Sequence, residues 1–338
     1  MSRPPGESAV LGLDIGGTAI KSALVAPDGR ALSTVAHHPI RAAGRDPEAI
    51  VGTVLDRAAE LLGTAAAQGV AVRALGVAAC GVIDESAGVA VFSASFGWRD
   101  VPLRRLLAER TGLPVALGHD VRAGGVAEAR LGAGRGHEVF LFVPVGTGVG
   151  AAVMLGGRPF TGGHWRAGEL GHVVVRPGGD RCGCGQRGCL STLAGGPALV
   201  KRYRRLAGLD GGAPADAVTV VRLATEGDRI AARVWADAVA ALADSLALGV
   251  TLFDPSAVLV GGGLARSGDL LLHPLREQLA ERLTFQVMPE VLPAALGDEA
   301  GCLGAGLLAW DLLGDGTDTA LTGKTLRSVS NAHGLRKT

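Results

Sequence analysis

The chain has 338 residues, a formal net charge of +1, 48% hydrophobic residues and 4% aromatics. That length accommodates two domains of ordinary size, and the near-neutral charge argues against a general attraction to nucleic acid or an anionic membrane. The N-terminal residues MSRPPGESAV lack the apolar core of a signal peptide, and no run of about 20 apolar residues suggests a membrane span, so the sequence reads as cytoplasmic.

Residues 1–8 read as a loose polar arm. The first strand, residues 9–15, ends in DIGGT, and the apolar run resumes at residue 19 with Lys21 inside it. This predicts a strand–turn–strand hairpin. Its Asp14, Gly16, Gly17, Thr18 and Lys21 offer backbone N–H groups, a hydroxyl and a cation to a phosphate. Asp14 could hold Mg²⁺, directly or through water. An ordinary turn with a buried aspartate at a strand end is the simpler alternative. The dinucleotide fingerprint does not apply, because a strand follows where a helix is required, and the Walker A spacing is absent.

Residues 31–40 predict a further strand, 47–69 a helix, and 72–79 a buried strand leading into Cys80 and Gly81. A short strand at 89–92 precedes SASFGW, which contains Ser95, and a helix ends near residue 110. Residues 115–117 form a strand, followed by Gly118, His119 and Asp120 and then a helix of small residues, 121–131. Asp120 thus stands at both a strand end and a helix start. The pattern supports an N-cap and a general base facing a crevice about equally.

A second apolar strand at 139–145 runs into Gly146, Thr147 and Gly148, and a strand at 151–155 follows. Two such hairpins about 130 residues apart suggest a duplicated domain gripping one polyphosphate from both sides. Helices are expected at 197–206, 218–225, 229–251 and 270–283, with a polar loop at 210–216. The strand at 258–260 opens into Gly261, Gly262 and Gly263, a backbone surface suited to a base and ribose. A last helix ends near residue 313, and the polar tail beyond it reads as disordered.

Residues 169–191 hold three of the five cysteines, Cys182, Cys184 and Cys189, with His172 ten residues before the first. Three thiolates and an imidazole form the closed four-ligand set that structural zinc prefers. A disulfide would leave one cysteine unpaired, and cysteines spaced among glycines are poor core material. Glu169 and His172, three apart, could both face a polar substrate while the metal shapes the loop.

Together, DIGGTAIK, the Gly118–His119–Asp120 step, GTGVG, ExGH at 169–172 and CGCGxxGC from 182 resemble the ROK family of sugar kinases and repressors. The resemblance spans residues 14–306. It implies an α/β fold of two actin-like (ribonuclease H-like) domains flanking a central cleft, 1–117 and 118–304, with the last helix, about 305–313, returning to the first. It implies ATP with Mg²⁺, a hexose, and Asp120 as the base that takes the 6-hydroxyl proton. It also implies sugar contacts from Gly81, Ser95, His119, Asp120, Gly163, Glu169, His172 and Ser191, and a homodimer. Three of these depart from the family pattern: His119 and Ser95 stand where asparagine is expected, and Ser191 where glutamate is expected. They open the acceptor to modified hexoses, amino sugars or cyclitols besides glucose. The family's repressors carry a DNA-binding region ahead of the hairpin. Only 13 residues precede Asp14 here, so a kinase is expected rather than a regulator or a non-catalytic sugar sensor.

Overall fold

The computed structural model describes residues 8–40, 46–209, 214 and 216–314. Apart from Ser8, the expected N-terminal arm lies outside the described residues, as do most of the 210–216 loop and the tail after Gly314.

Two five-stranded sheets organise the chain. The first has the order β3-β2-β1-β4-β8, from β1 (Ser8–Ile15), β2 (Ala19–Val25), β3 (Ala36–Pro39), β4 (Ala71–Ala79) and β8 (Val115–His119). A small sheet branches from it: β5 (Val82–Asp84), β6 (Val89–Ser93) and β7 (Trp98–Val101). The second large sheet has the order β11-β10-β9-β12-β13, from β9 (Val139–Pro144), β10 (Ala152–Leu155), β11 (Arg158–Pro159), β12 (Ala257–Gly261) and β13 (Glu290–Pro293). Each large sheet pairs an antiparallel hairpin with a parallel strand on its other side: β1 with β2 and β4, β9 with β10 and β12. This is the duplication that the two glycine-tipped hairpins predict.

The helices are α1 (Pro47–Ala67), α2 (Leu103–Thr111), α3 (Asp120–Leu131), α4 (Ser191–Ala194), α5 (Gly196–Ala207), α6 (Ala217–Thr225), α7 (Arg229–Phe253), α8 (Asp269–Ala280) and α9 (Ala300–Leu313). Local chemistry sets several boundaries. Asp46 accepts the Glu48 N–H and Pro47 opens α1, while Asp228 accepts the Ile230 and Ala231 N–H groups at the start of α7. α7 is long and apolar enough to cross a membrane by length and composition, yet half of that window is buried within the fold. Val234, Leu242 and Leu246 are among its residues in the core of the second sheet.

α9 returns to the first sheet and packs on β1 and β4. Contact there is at backbone distance: a Cβ on Gly76 would fall 1.7 Å from the Ala305 carbonyl oxygen. α9 also lies against α3, and residues of both sheets, including Val10, Val25, Phe140, Phe142 and Leu259, share a core with its Trp310. The helix that carries Asp120 is thereby fixed between the two halves.

Several expectations shift. The strand expected at 31–40 is confined to Ala36–Pro39, with Ala31 making only an isolated bridge to Val25. Alternation there is weak, because residues 36–39 are only half-buried or exposed. The short strands β5, β7, β11 and β13 and the single-turn α4 add to the sequence reading, and the helix expected at 270–283 stops at Ala280.

Candidate active site

The two hairpin tips have the same burial pattern. Gly17 and Thr18 are exposed at the first and Thr147 and Gly148 at the second, each between buried strand ends. The Gly16 N–H closes the first turn on the Ala19 carbonyl at 3.0 Å. The second tip is braced from below: the Val145 N–H donates to the Gly261 carbonyl, and the Leu264 N–H donates to the Val145 carbonyl. Gly262 takes φ +79° there, and a Cβ on it would sit 2.5 Å from the Val145 oxygen. The loops 146–148 and 261–263, expected to serve the nucleotide, are therefore one packed surface.

Asp14 ends β1, and Lys21 lies across the hairpin with Nζ 3.8 Å from Asp14 Oδ2. Lys21 also donates to the Asp298 carbonyl at 3.3 Å, and Arg266 stands 3.7 Å from the Asp298 carboxylate. Asp298 and Arg266 were not legible as neighbours of this hairpin, since 277 residues separate Lys21 from Asp298. Burial pushes the Asp14 carboxyl up to about 6, helped by the charge of Asp120 and opposed by Lys21. Asp14 pairs with Ala78 on β4 and Ala78 with Gly118 on β8, so the first hairpin and the expected base stand at the same end of the sheet. Ser95 also belongs here, with its Oγ next to the Gly17 tip. The half-buried Cys80 thiol is pushed up to about 12 by desolvation and then by Asp120, so it is no nucleophile.

Asp120 is the first residue of α3, and His119 holds the cap position without a side-chain cap bond. The expected capping role therefore does not fall to Asp120. Its Oδ1 accepts its neighbour Val121's N–H at 2.8 Å and lies 3.3 Å from His119 Nε2. Burial raises the Asp120 carboxyl above its ordinary value, although its side chain keeps 28% exposure. His119 is driven down to about 4 by burial and then by Arg122, so at neutral pH it is uncharged. Its Nδ1 is buried without a hydrogen-bond partner. With Oδ1 engaged by the Val121 N–H, Oδ2 is left to receive a proton.

Sequence reasoning missed Glu85 and Arg122. Glu85 Oε1 accepts both the His119 N–H at 3.2 Å and Arg122 Nε at 2.8 Å. The one available signal was a lone arginine in the otherwise small-residue start of α3.

The sugar-loop residues are only partly assembled. Glu169 is half-buried and His172 exposed, with Oε2 and Nε2 4.0 Å apart across a 3-10 turn, Leu170–His172. The charge of Glu169 reaches His119, tying this loop to the base. Gly163 is exposed in the same loop. Gly81, at φ +118°, packs against the Phe92 carbonyl, where a Cβ would fall 2.2 Å away, so a packing role accounts for it. Ser191 accepts the Val149 N–H at 3.2 Å and so braces the second hairpin.

His172, Cys182, Cys184 and Cys189 bring their ligand atoms within 4.8 Å of one another. Cys182 Sγ lies 3.5 Å from His172 Nδ1, and Cys184 Sγ 3.7 Å from Cys189 Sγ. A tetrahedron with Zn–S near 2.3 Å and Zn–N near 2.1 Å has edges of about 3.6 Å (N···S) and about 3.8 Å (S···S). The donor set fits zinc in number, type and spacing. His172 turns Nδ1 to this cluster and Nε2 toward Glu169, so one ring joins the cluster to Glu169.

Residues 10–311 match the model of the ROK family. The chain belongs to the ROK family. It is 35% identical to a glucokinase from Thermotoga maritima over 90% of this chain and 98% of that one. It is 33% identical to a kanosamine kinase from Amycolatopsis mediterranei, over 88% and 95% of the two chains. Among solved structures, a ROK family glucokinase from Streptomyces griseus in complex with glucose and AMPPNP matches with a TM-score of 0.78 and 32% identity, over 90% of this chain and all of that one.

Proposed function

We propose that this ROK protein transfers the γ-phosphoryl group of ATP to the 6-hydroxyl of a hexose, with Asp120 as general base. Its coarse activity is that of an ATP-dependent hexose kinase, and full-length similarity to a glucokinase supports this. The observation that carries the finer reading is the placement of Asp120. It opens α3, engages one oxygen with the Val121 N–H, and stands at the same sheet end as the Asp14–Lys21 hairpin.

Phosphoryl transfer is mainly positioning and charge stabilisation. Residues 16–18 and 146–148 would hold the phosphates through backbone N–H groups, and Lys21 would offset their charge. The surface at 261–263 would carry the base and ribose. Asp14 is the side chain placed to hold Mg²⁺, which when bound neutralises charge on the transferring phosphate. Asp120 Oδ2 takes the hydroxyl proton as the sugar oxygen attacks. Glu169, His172, His119 and Ser95 surround the rest of the acceptor. Zinc, held by His172, Cys182, Cys184 and Cys189, would fix the loop that presents Glu169. The site of action is the cytoplasm, where ATP and reduced thiols coexist, and the working form is a homodimer.

Glucose is the first candidate acceptor. An amino hexose is the second, for a specific reason: Ser191 is short and engaged with Val149, so no carboxylate stands at its position. A site built around fewer matched hydroxyl partners tolerates a replaced hydroxyl better. The similarity to a kanosamine kinase supports the same reading. Coupled ADP release with glucose, glucosamine, kanosamine, N-acetylglucosamine, mannose and a cyclitol tests it. Preference for an amino hexose upholds the second reading, and preference for glucose returns the assignment to the first.

A further inference from the structure

Arg122 is 2% exposed, yet it lies two residues beyond the base, on the helix that the base opens. Its guanidinium uses all three nitrogens. Nε donates to Glu85 Oε1 at 2.8 Å, one terminal nitrogen to the Trp165 carbonyl at 3.3 Å, and the other to the Ile83 carbonyl at 3.4 Å. Ile83 and Glu85 belong to the small sheet and the turn that follows it, on the first half of the molecule. Trp165 belongs to the loop between Gly163 and Glu169, on the second half. Trp165 takes φ +59°, a conformation costly for a bulky residue. Glu85 closes the circuit, because the same oxygen that pairs with Arg122 also accepts the His119 N–H at the start of α3.

Resting on the reading of Asp120 as base, we propose that Arg122 is a positioning residue that sets the base and the sugar loop in register with each other. A planar guanidinium can bond three acceptors in fixed directions at once, which an ammonium on a flexible stem cannot. Through Glu85 it fixes the His119–Asp120 step, and through the Trp165 carbonyl it fixes the segment that leads to Glu169. The acceptor hydroxyl is therefore located relative to Oδ2 by one side chain that itself touches neither.

The test uses the full chain with its best sugar acceptor and compares Arg122→Met, Arg122→Lys, Glu85→Gln and Asp120→Asn. Circular dichroism and thermal melting establish which variants fold. A misplacement of about 1 Å costs on the order of 10²-fold in rate. Arg122→Met is expected to lose about that much sugar kcat/KM, with the KM for ATP unchanged. Arg122→Lys should recover only part, since it can reach Glu85 but cannot span to Trp165 as well. Glu85→Gln, which keeps the shape and weakens the pair, should lose about tenfold in the same parameter. Should Arg122→Met fail to fold, Glu85→Gln decides. A folded Arg122→Met or Glu85→Gln protein with wild-type sugar kcat/KM overturns the inference, as does an equal change in the sugar and ATP parameters. Failure of the underlying reading looks different: Asp120→Asn would then turn over normally.

Discussion

Replacing Cys184 with serine tests the cysteine cluster without disturbing the core, because Cys184 is an exposed member while Cys182 and Cys189 are buried. The wild-type spacings of 3.5 and 3.7 Å are close to the edges of a zinc tetrahedron. The expected metal content is therefore one zinc per chain in the wild type and a small fraction of that in Cys184→Ser. The loop keeps other ties, such as the bridges Val174 to Cys189 and Arg181 to Arg187, so its loss of order is local. A stability loss of about 2 kcal/mol would lower Tm by roughly 3 °C for a chain of this length. The larger effect falls on the sugar, because the His172 ring that meets Cys182 also faces Glu169. Loosening such an orienting contact costs about 10–100-fold, here in sugar kcat/KM with the KM for ATP unchanged. Elemental analysis, thermal melting and steady-state kinetics read the three effects. A metal-free wild-type protein with full activity and an unaltered Tm would refute the reasoning.

Four further outcomes are expected. The Asp14 carboxyl is raised to about 6 and Asp120 is raised by burial, so kcat/KM should fall as pH drops below about 6, the acid limb belonging to the coupled pair; a flat profile down to pH 5 would contradict this. For stability the sign is opposite to that of a paired carboxylate. A folded pKa above the unfolded 3.8 means that Asp14 costs stability as pH rises through about 6, so Asp14→Asn should raise Tm at pH 8, by up to about 3 kcal/mol of stability, while impairing catalysis. Glu128, fully buried, accepts the N–H groups of Ala133, Ala295 and Leu296 at 2.8, 3.2 and 2.8 Å, so Glu128→Ala should cost about 3–5 kcal/mol in denaturant unfolding. Gly262→Ala places a Cβ against the Val145 backbone at a positive φ and should raise the KM for ATP at least several-fold; unchanged ATP kinetics would remove the 261–263 surface from the nucleotide site.

The hairpins were legible because apolar residues resume directly after two glycines and a threonine, a pattern that leaves no room for a helix. The cysteine cluster was legible because its spacing is itself the signal. What sequence could not supply lies in contacts between distant segments. Glu85 and Arg122 are 37 residues apart and acquire meaning only as a pair. The Ser191 hydroxyl meets Val149, 42 residues earlier, so its identity could be noted but not its direction. Strands β5 and β7 are 3 and 4 residues long, too short for a period of two to stand out. Strand β13 follows an exposed stretch with Phe285 and Val287 and gains its place only by pairing with β12.

The central claim is tested most directly by coupled ADP release from Mg-ATP across the sugar panel, run in parallel on the wild type and Asp120→Asn. The account predicts that a hexose or amino hexose drives turnover in the wild type and that the variant loses about 10²–10⁴-fold while still binding the sugar. Sugar binding without turnover in the wild type, or undiminished turnover in Asp120→Asn, would contradict it.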